Sequence, residues 1–426
     1  MKHFTKSLLS LLVGTSVAAS LMLTPVQASD LETPLDDAYY GQLRGQNISL
    51  NVYNWGEYIS DGSDDSLDVN ATFEELTGIK VNYSTFATNE ELYAKLQSGA
   101  VSYDIIIPSD YMIARMIREE MVQPLDKSLL PAYGNIDEHY LGNEYDPDDT
   151  YSVPYTWGTV GIIYNTTRVT EEVTSWDILW NENYAGDILM FSNPRDALMI
   201  AEKKLGYSLN TTDEQQIKTA FLELKNQKPL IQAYVMDEIF DKMGSGEAAI
   251  APYYAGDALV MMETNPDLAF CSPEEGTNIF IDAACIPSDS TNTLAAHMYI
   301  NFLCEAEVAA ANIEYIGYSS PNAAAMELLD EETRTNPISY PPQEVLDNCE
   351  TFLVLPDETN QMVDKMWTEL LSTSAEADQN ASSGNSSLVP LFACLAIGGV
   401  WYGLYQRRKA QLALLWREYD PEEEEE

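Results

Sequence analysis

The stretch YDIIIPSDYMIARMIREEM, Tyr103 to Met121, decides how the chain must fold. It opens with an apolar run that does not alternate, the pattern of a strand covered on both faces. Pro108 and Ser109 end that run, and apolar residues then recur at the spacing of one helix face. The same order appears upstream. LNVYNW (50–55) and IKVNYSTF (79–86) read as strands, whereas ATFEELTG (71–78) and NEELYAKLQSG (89–99) read as helices. Strands alternating with helices are joined by crossovers, so the expected class is α/β with parallel strands. Further on, SVPYTWGTVGIIYN (152–165) carries a strand-like run after a Pro-Tyr-Thr-Trp-Gly bend, and TSWDILWNENYAGDILM (174–190) starts a new set of elements. A lobe boundary near Trp157 and Gly158 is the consequence. There is no internal repeat.

The 426 residues suffice for two ordinary domains and further segments, and 45% hydrophobic content supports a real core. Charge is the anomaly. Sixty-eight Asp and Glu face 22 Lys and Arg, a formal net charge of -46, which repels nucleic acid and attracts cations. Most of those carboxylates read as an acidic, solubilising surface, so only those placed in a cleft count as evidence of function.

Both ends carry the marks of targeting. Lys2 and Lys6 precede an uncharged apolar run from Leu8 to Leu23, and Val26-Gln27-Ala28 offers a small-residue cleavage site, so residues 1–28 are expected to be a secretory signal peptide. No Cys follows that run to carry a lipid. At the far end, Leu388 to Tyr405 is almost wholly apolar and is followed by Arg407, Arg408 and Lys409. A transmembrane helix over 388–405 is expected, after a linker at 374–387 and before a cytoplasmic tail at 406–426. The exported part then lies outside the cell membrane. Four cysteines fall there, Cys271, Cys285, Cys304 and Cys349; export permits disulfides, and Cys271 with Cys285 is a guess at one pair.

In open α/β sheets ligands collect beyond the carboxyl ends of the strands. Trp55, Glu57 and Tyr58 follow one strand, and Ser109, Asp110 and Tyr111 follow another, so both sets are expected in one crevice. Aromatic faces with carboxylates suit an organic cation that carries apolar methylenes.

These motifs resemble the extracytoplasmic spermidine/putrescine-binding proteins of ABC transporters. YNWGEY, TGIKVNYSTFATNEELYAKL, YDIIIPSDY, SVPYTWGTVGIIYN and IGYSSPN (316–322) match blocks of that family in the same order, over about Gln46 to Leu371. The resemblance implies a two-lobed type II periplasmic-binding-protein fold that closes on its ligand by a hinge. It implies lobe 1 at 46–157 and 279–328 and lobe 2 at 158–278 and 329–373. It also implies that Trp55, Glu57, Tyr58, Ser109 and Tyr111 line the cleft, with Asp110 nearby and Tyr318 packing on the ligand. From lobe 2 it implies Asp196, in an Arg195-Asp196 pair, with Asn193 where many members have an Asp. Tyr254 and Asp257 stand in its aromatic-x-Gly-acid pattern, and Asp282 matches its main amine-binding acid. Phe280 stands where spermidine binders often have Trp.

The expected function is capture of putrescine, spermidine or both and delivery to the permease and ATPase of an importer, with no cofactor and no metal. An enzyme is disfavoured: there is no GxSxG, HExxH or P-loop, and only His139 and His297 lie in the exported part. The alternatives are a surface ligand sensor and a binding protein for another organic cation.

Overall fold

The computed structural model describes residues 31–372, and the expected signal peptide, linker, membrane helix and tail lie outside them. The described residues up to Asp364 belong to one compact unit; of a second, from Lys365, the described part is the end of the helix Asp357–Ser372. Among the described residues no helix is long and apolar enough to cross a membrane.

Strands β1 (Ser49–Trp55), β2 (Lys80–Phe86) and β3 (Ile105–Ile106) run parallel, with Val52 opposite both Tyr83 and Ile105. The helices between them begin and end where local chemistry dictates. Asp68 accepts a hydrogen bond from the Ala71 amide to open the helix Val69–Thr77, and Gly78 closes it at φ +72°, a conformation that glycine adopts without penalty. Thr88 caps the helix Asn89–Ser98 in the same way, through the Glu91 amide.

β4 (Ser152–Asn165) is the longest strand. It is followed by β5 (Ile188–Phe191), β6 (Ile231–Val235), β7 (Ile250–Tyr254), β8 (Leu268–Cys271) and β9 (Ile279–Cys285). The spatial order is β2-β1-β3-β9-β4-β7-β5-β6, with β8 on β4. β4 changes partner midway: Ser152 to Thr159 pair with β9, whereas Val160 to Tyr164 pair with β7 and Ile162 to Asn165 with β8. One strand therefore serves two lobes. The expected bend at Pro-Tyr-Thr-Trp-Gly is a register shift between Pro154 and Thr156 inside this strand. Proline has no N–H to give to the ladder, so the chain slips there without breaking.

Lobe 1 packs Leu50, Val52 and Ile105 of the sheet against Phe73, Tyr299 and Phe302 of the helices. In lobe 2 every residue of β5 is buried, as is most of the helix Pro194–Lys204 that follows it.

The pairing of Cys271 with Cys285 is not found: Cys271, Cys285, Cys304 and Cys349 are all free. Topology forbids that pair. Cys285 lies opposite Ser152 and Cys271 opposite Ile162, on the same strand and ten residues apart. At about 3.3 Å per residue the separation is far beyond the roughly 7 Å that a disulfide can span.

β8 approaches β4 closely at Gly161. A Cβ there would stand 2.2 Å from the Phe270 ring and 2.6 Å from the Cys271 carbonyl oxygen. The ring could move but the carbonyl belongs to the ladder. Gly161→Ala should destabilise the protein by about 1–3 kcal/mol, read as a lower urea midpoint at unchanged slope.

Candidate functional site

The strand ends of both lobes meet in one cavity of about 570 Å³, its open mouth included. On the lobe 1 side, Trp55 ends β1, and Ser109 and Tyr111 follow β3. β9 runs antiparallel to β3, and a bridge between Ser109 and Asp282 sets Asp282 at the same level. On the lobe 2 side, Asp196 lies in the first turn of the helix after β5, and Asp257 in the first turn of the helix Ala255–Thr264 after β7. Carboxylates are favoured there by the exposed amides of a helix start.

Of the expected residues, Trp55, Tyr58, Ser109, Tyr111, Asp196, Tyr254, Asp257, Phe280, Asp282 and Tyr318 line this cavity. Glu57 and Asp110 do not. Glu57 takes a left-handed φ of +49° in the turn after Trp55 and is exposed, leaving Gly56 to face the cavity. Asp110 is buried, but its Oδ1 accepts from the Tyr111 amide at 2.6 Å and its Oδ2 from the Ile281 amide at 3.2 Å. Its role here is to tie the start of a helix to β9.

The walls are rings. Tyr58 and Tyr318 meet edge to face with centroids 4.6 Å apart, and Phe280 stands 5.6 Å from Tyr254 and 6.3 Å from Tyr318. Between them the acids are held by few donors. Tyr58 Oη donates to Asp282 Oδ2 at 2.6 Å, while Asp282 Oδ1 is buried with no partner in hydrogen-bonding geometry. Asp196 Oδ2 accepts from Tyr254 Oη at 2.8 Å and from Asn193 Nδ2 at 2.7 Å. Two more buried polar atoms of the lining, Trp55 Nε1 and Asn278 Oδ1, also lack partners. Leaving such atoms unsatisfied is costly unless something else fills the cavity.

Electrostatics agree with the geometry. Burial pushes the Asp282 carboxyl up to about 6 against the neighbouring Ser109 hydroxyl and the Tyr58 hydrogen bond, and pushes Asp196 up to about 7 against that of Tyr254. Burial also raises Asp257 well above the ordinary carboxylate range, against a hydrogen bond from Tyr318 and helped by the nearby charges of Asp237, Glu57 and Asp282. Carboxyls raised in this way are stabilised as anions by a cation placed among them. Among the described residues no cluster of His, Cys, Asp and Glu has the arrangement of a metal site.

The cavity also contains residues that the sequence reading missed, among them Asn89, Asp237, Tyr253, Asn278 and Phe352. Asn89 Nδ2 donates to Ser109 Oγ at 3.1 Å and so fixes that hydroxyl. Asp237 was within reach of the strand-end rule, since it follows β6 by two residues. Phe352 lies in an irregular segment and carries no sequence signal.

Residues 101–349 match the family of bacterial extracellular solute-binding proteins. The chain is 37% identical over 308 residues to the spermidine/putrescine-binding periplasmic protein of Escherichia coli, covering 71% of this chain and 86% of that one. A solved Listeria monocytogenes protein, described as a candidate spermidine/putrescine ABC transporter, superposes with a TM-score of 0.73 at 35% identity, over 76% of this chain and 99% of that one. The spermidine/putrescine substrate-binding protein PotD of Streptococcus pneumoniae gives 0.65 at 37% identity, over 76% of this chain and 98% of its own. With its two α/β lobes and interposed cavity, the chain belongs to the bacterial extracellular solute-binding proteins, a family of binding proteins rather than enzymes, and stands there with the spermidine/putrescine-binding proteins of ABC transporters.

Proposed function

We propose that the protein captures polyamines, putrescine and spermidine, in the cavity between its lobes and delivers them to the permease and ATPase of an ABC importer. One observation carries this reading: a buried, half-satisfied Asp282 shares a ring-walled cavity with Asp196 and Asp257, and among the described residues no cationic side chain lines it. An alkyl amine with several positive charges supplies what is missing. Its ammonium groups donate to the carboxylates and its methylenes lie on the rings. In this reading Asp282 and Asp196 hold ammonium groups, Tyr254, Phe280 and Tyr318 pack the chain, and Glu57 acts from the rim. The names of the relatives support the same ligands and partner.

The lobe limits we propose are 46–157 with 279–328 and 158–278 with 329–373; the change of partner along β4 between Thr159 and Val160 favours them. We also infer export through residues 1–28 and anchoring by a membrane helix at 388–405, which would hold the binding lobes outside the membrane and the C-terminus in the cytoplasm. Support for both comes from the sequence alone.

Isothermal titration of the protein with spermidine and putrescine, against amino acids and sugars, tests the function directly. Binding of the amines alone is expected. Asp282→Asn should weaken amine binding by about 1.5–3 kcal/mol, roughly ten- to a hundred-fold, and an unchanged affinity would remove Asp282 from the site.

The raised carboxyls fix the pH dependence. Their folded-state values, about 6 for Asp282 and about 7 for Asp196, lie above the roughly 3.9 of an unfolded Asp. Their contribution to the stability of the empty protein is therefore present at low pH and is lost as pH rises through 6 and 7. Amine binding needs the anions. The rise in melting temperature given by saturating spermidine should grow from pH 5 to pH 8, with protons released on binding near pH 6.5; equal shifts at both pH values would contradict the assignment.

A further inference from the structure

A second cavity, of about 490 Å³, lies between the lobes beside the first. Glu90, Tyr111 and Arg115 line it from lobe 1; Arg195 and Leu355 line it from the other side. Arg195 neighbours Asp196 in the chain, so the first turn of one helix presents an acid to the ligand cavity and a guanidinium to this one. That guanidinium is in an unusual state. Arg195 is 6% exposed, its Nη2 is buried with no hydrogen-bond partner, and it rests on rings, with Cζ 4.4 Å from the Phe352 centroid and 5.5 Å from that of Tyr111.

Across the cavity a carboxylate is in the matching state. Tyr111 Oη donates to Glu90 Oε1 at 3.0 Å, and the other oxygen, Oε2, is buried without a partner. A buried guanidinium and a half-buried carboxyl from opposite lobes thus face one cavity, each with one buried atom unsatisfied. Such groups are costly apart and gain most when brought together. Tyr111 and Phe352, the rings between them, also line the ligand cavity. Whatever draws Arg195 towards Glu90 therefore moves two walls of the ligand site.

We propose that Arg195 is an inter-lobe positioning residue: through Glu90 and the Tyr111 ring it holds lobe 1 against lobe 2 when the neighbouring Asp196 has taken its ammonium group. The pair does not touch the ligand. It keeps the closed cleft closed, so its loss appears in the rate of release. This inference rests on the polyamine reading given above.

The test uses the full-length protein with spermidine, in titration calorimetry and stopped-flow release. Arg195→Met should raise the dissociation rate about ten-fold with little change in the association rate. Glu90→Gln should do the same, and the double variant should be little worse than either single one, because both remove one coupling. Arg195→Lys should recover part of the loss, since it restores charge without the planar fork. The melting temperature of each empty variant separates this role from a purely structural one, which would lower it in step with affinity. Additive losses in the double variant, or wild-type release from Arg195→Met, would overturn the proposal while leaving the polyamine reading intact. A wild-type protein that binds no polyamine would overturn the functional reading and this proposal together.

Discussion

Three carboxyls held dry between two lobes, with too few protein donors to satisfy them, are the constraint on which this molecule turns. Burial raises Asp196, Asp257 and Asp282 above the ordinary carboxylate range, and the charge of Asp282 adds to the rise of the other two. Tyr58 donates to Asp282, and Tyr254 and Asn193 donate to Asp196, enough to orient these two acids and not enough to neutralise them. Rings cannot accept that excess charge, but they exclude the water that would. The fold supplies the rest. Parallel strands bring their carboxyl ends to one level, and helix starts place acids where amides favour them.

The overall charge of -46 is a poor guide to this site. Exposed acids are screened and solvated, and each contributes little. What distinguishes the cavity acids is the loss of solvent, which turns an ordinary Asp into a group whose ionisation depends on what lies beside it. Asp110 shows that burial alone is insufficient. It is as deeply buried as the others and is raised to about 8, yet a backbone amide is bound to each of its oxygens and it does not line the cavity.

Much of this was legible in the residues. The alternation of apolar runs with helix-spaced patterns marked β1, β2 and β3 and the helices between them, because period and end-signals are local properties. The strand-end rule and the family motifs together marked ten of the residues that line the cavity. What failed was non-local. Whether Glu57 faces the cavity depends on one backbone torsion in a turn, and whether Asp110 is free depends on the Ile281 amide of a strand far along the chain. The disulfide guess failed for the same reason, since proximity in sequence became ten residues of separation along β4. Phe352 was invisible because an irregular segment has no period to read.

A strand common to both halves has a mechanical consequence. β4 is stiff along its length, but where it exchanges β9 for β7 and β8, at Thr159 and Val160, the ladder that braces it changes hands. Gly158 stands just before that point, its Cα so near the Phe280 ring that a methyl group would meet it at 2.9 Å. Flexure at this point would therefore drag a wall of the binding chamber with it. The joint and the jaw are the same few residues, so a substitution meant to loosen the swing will also reshape the grip.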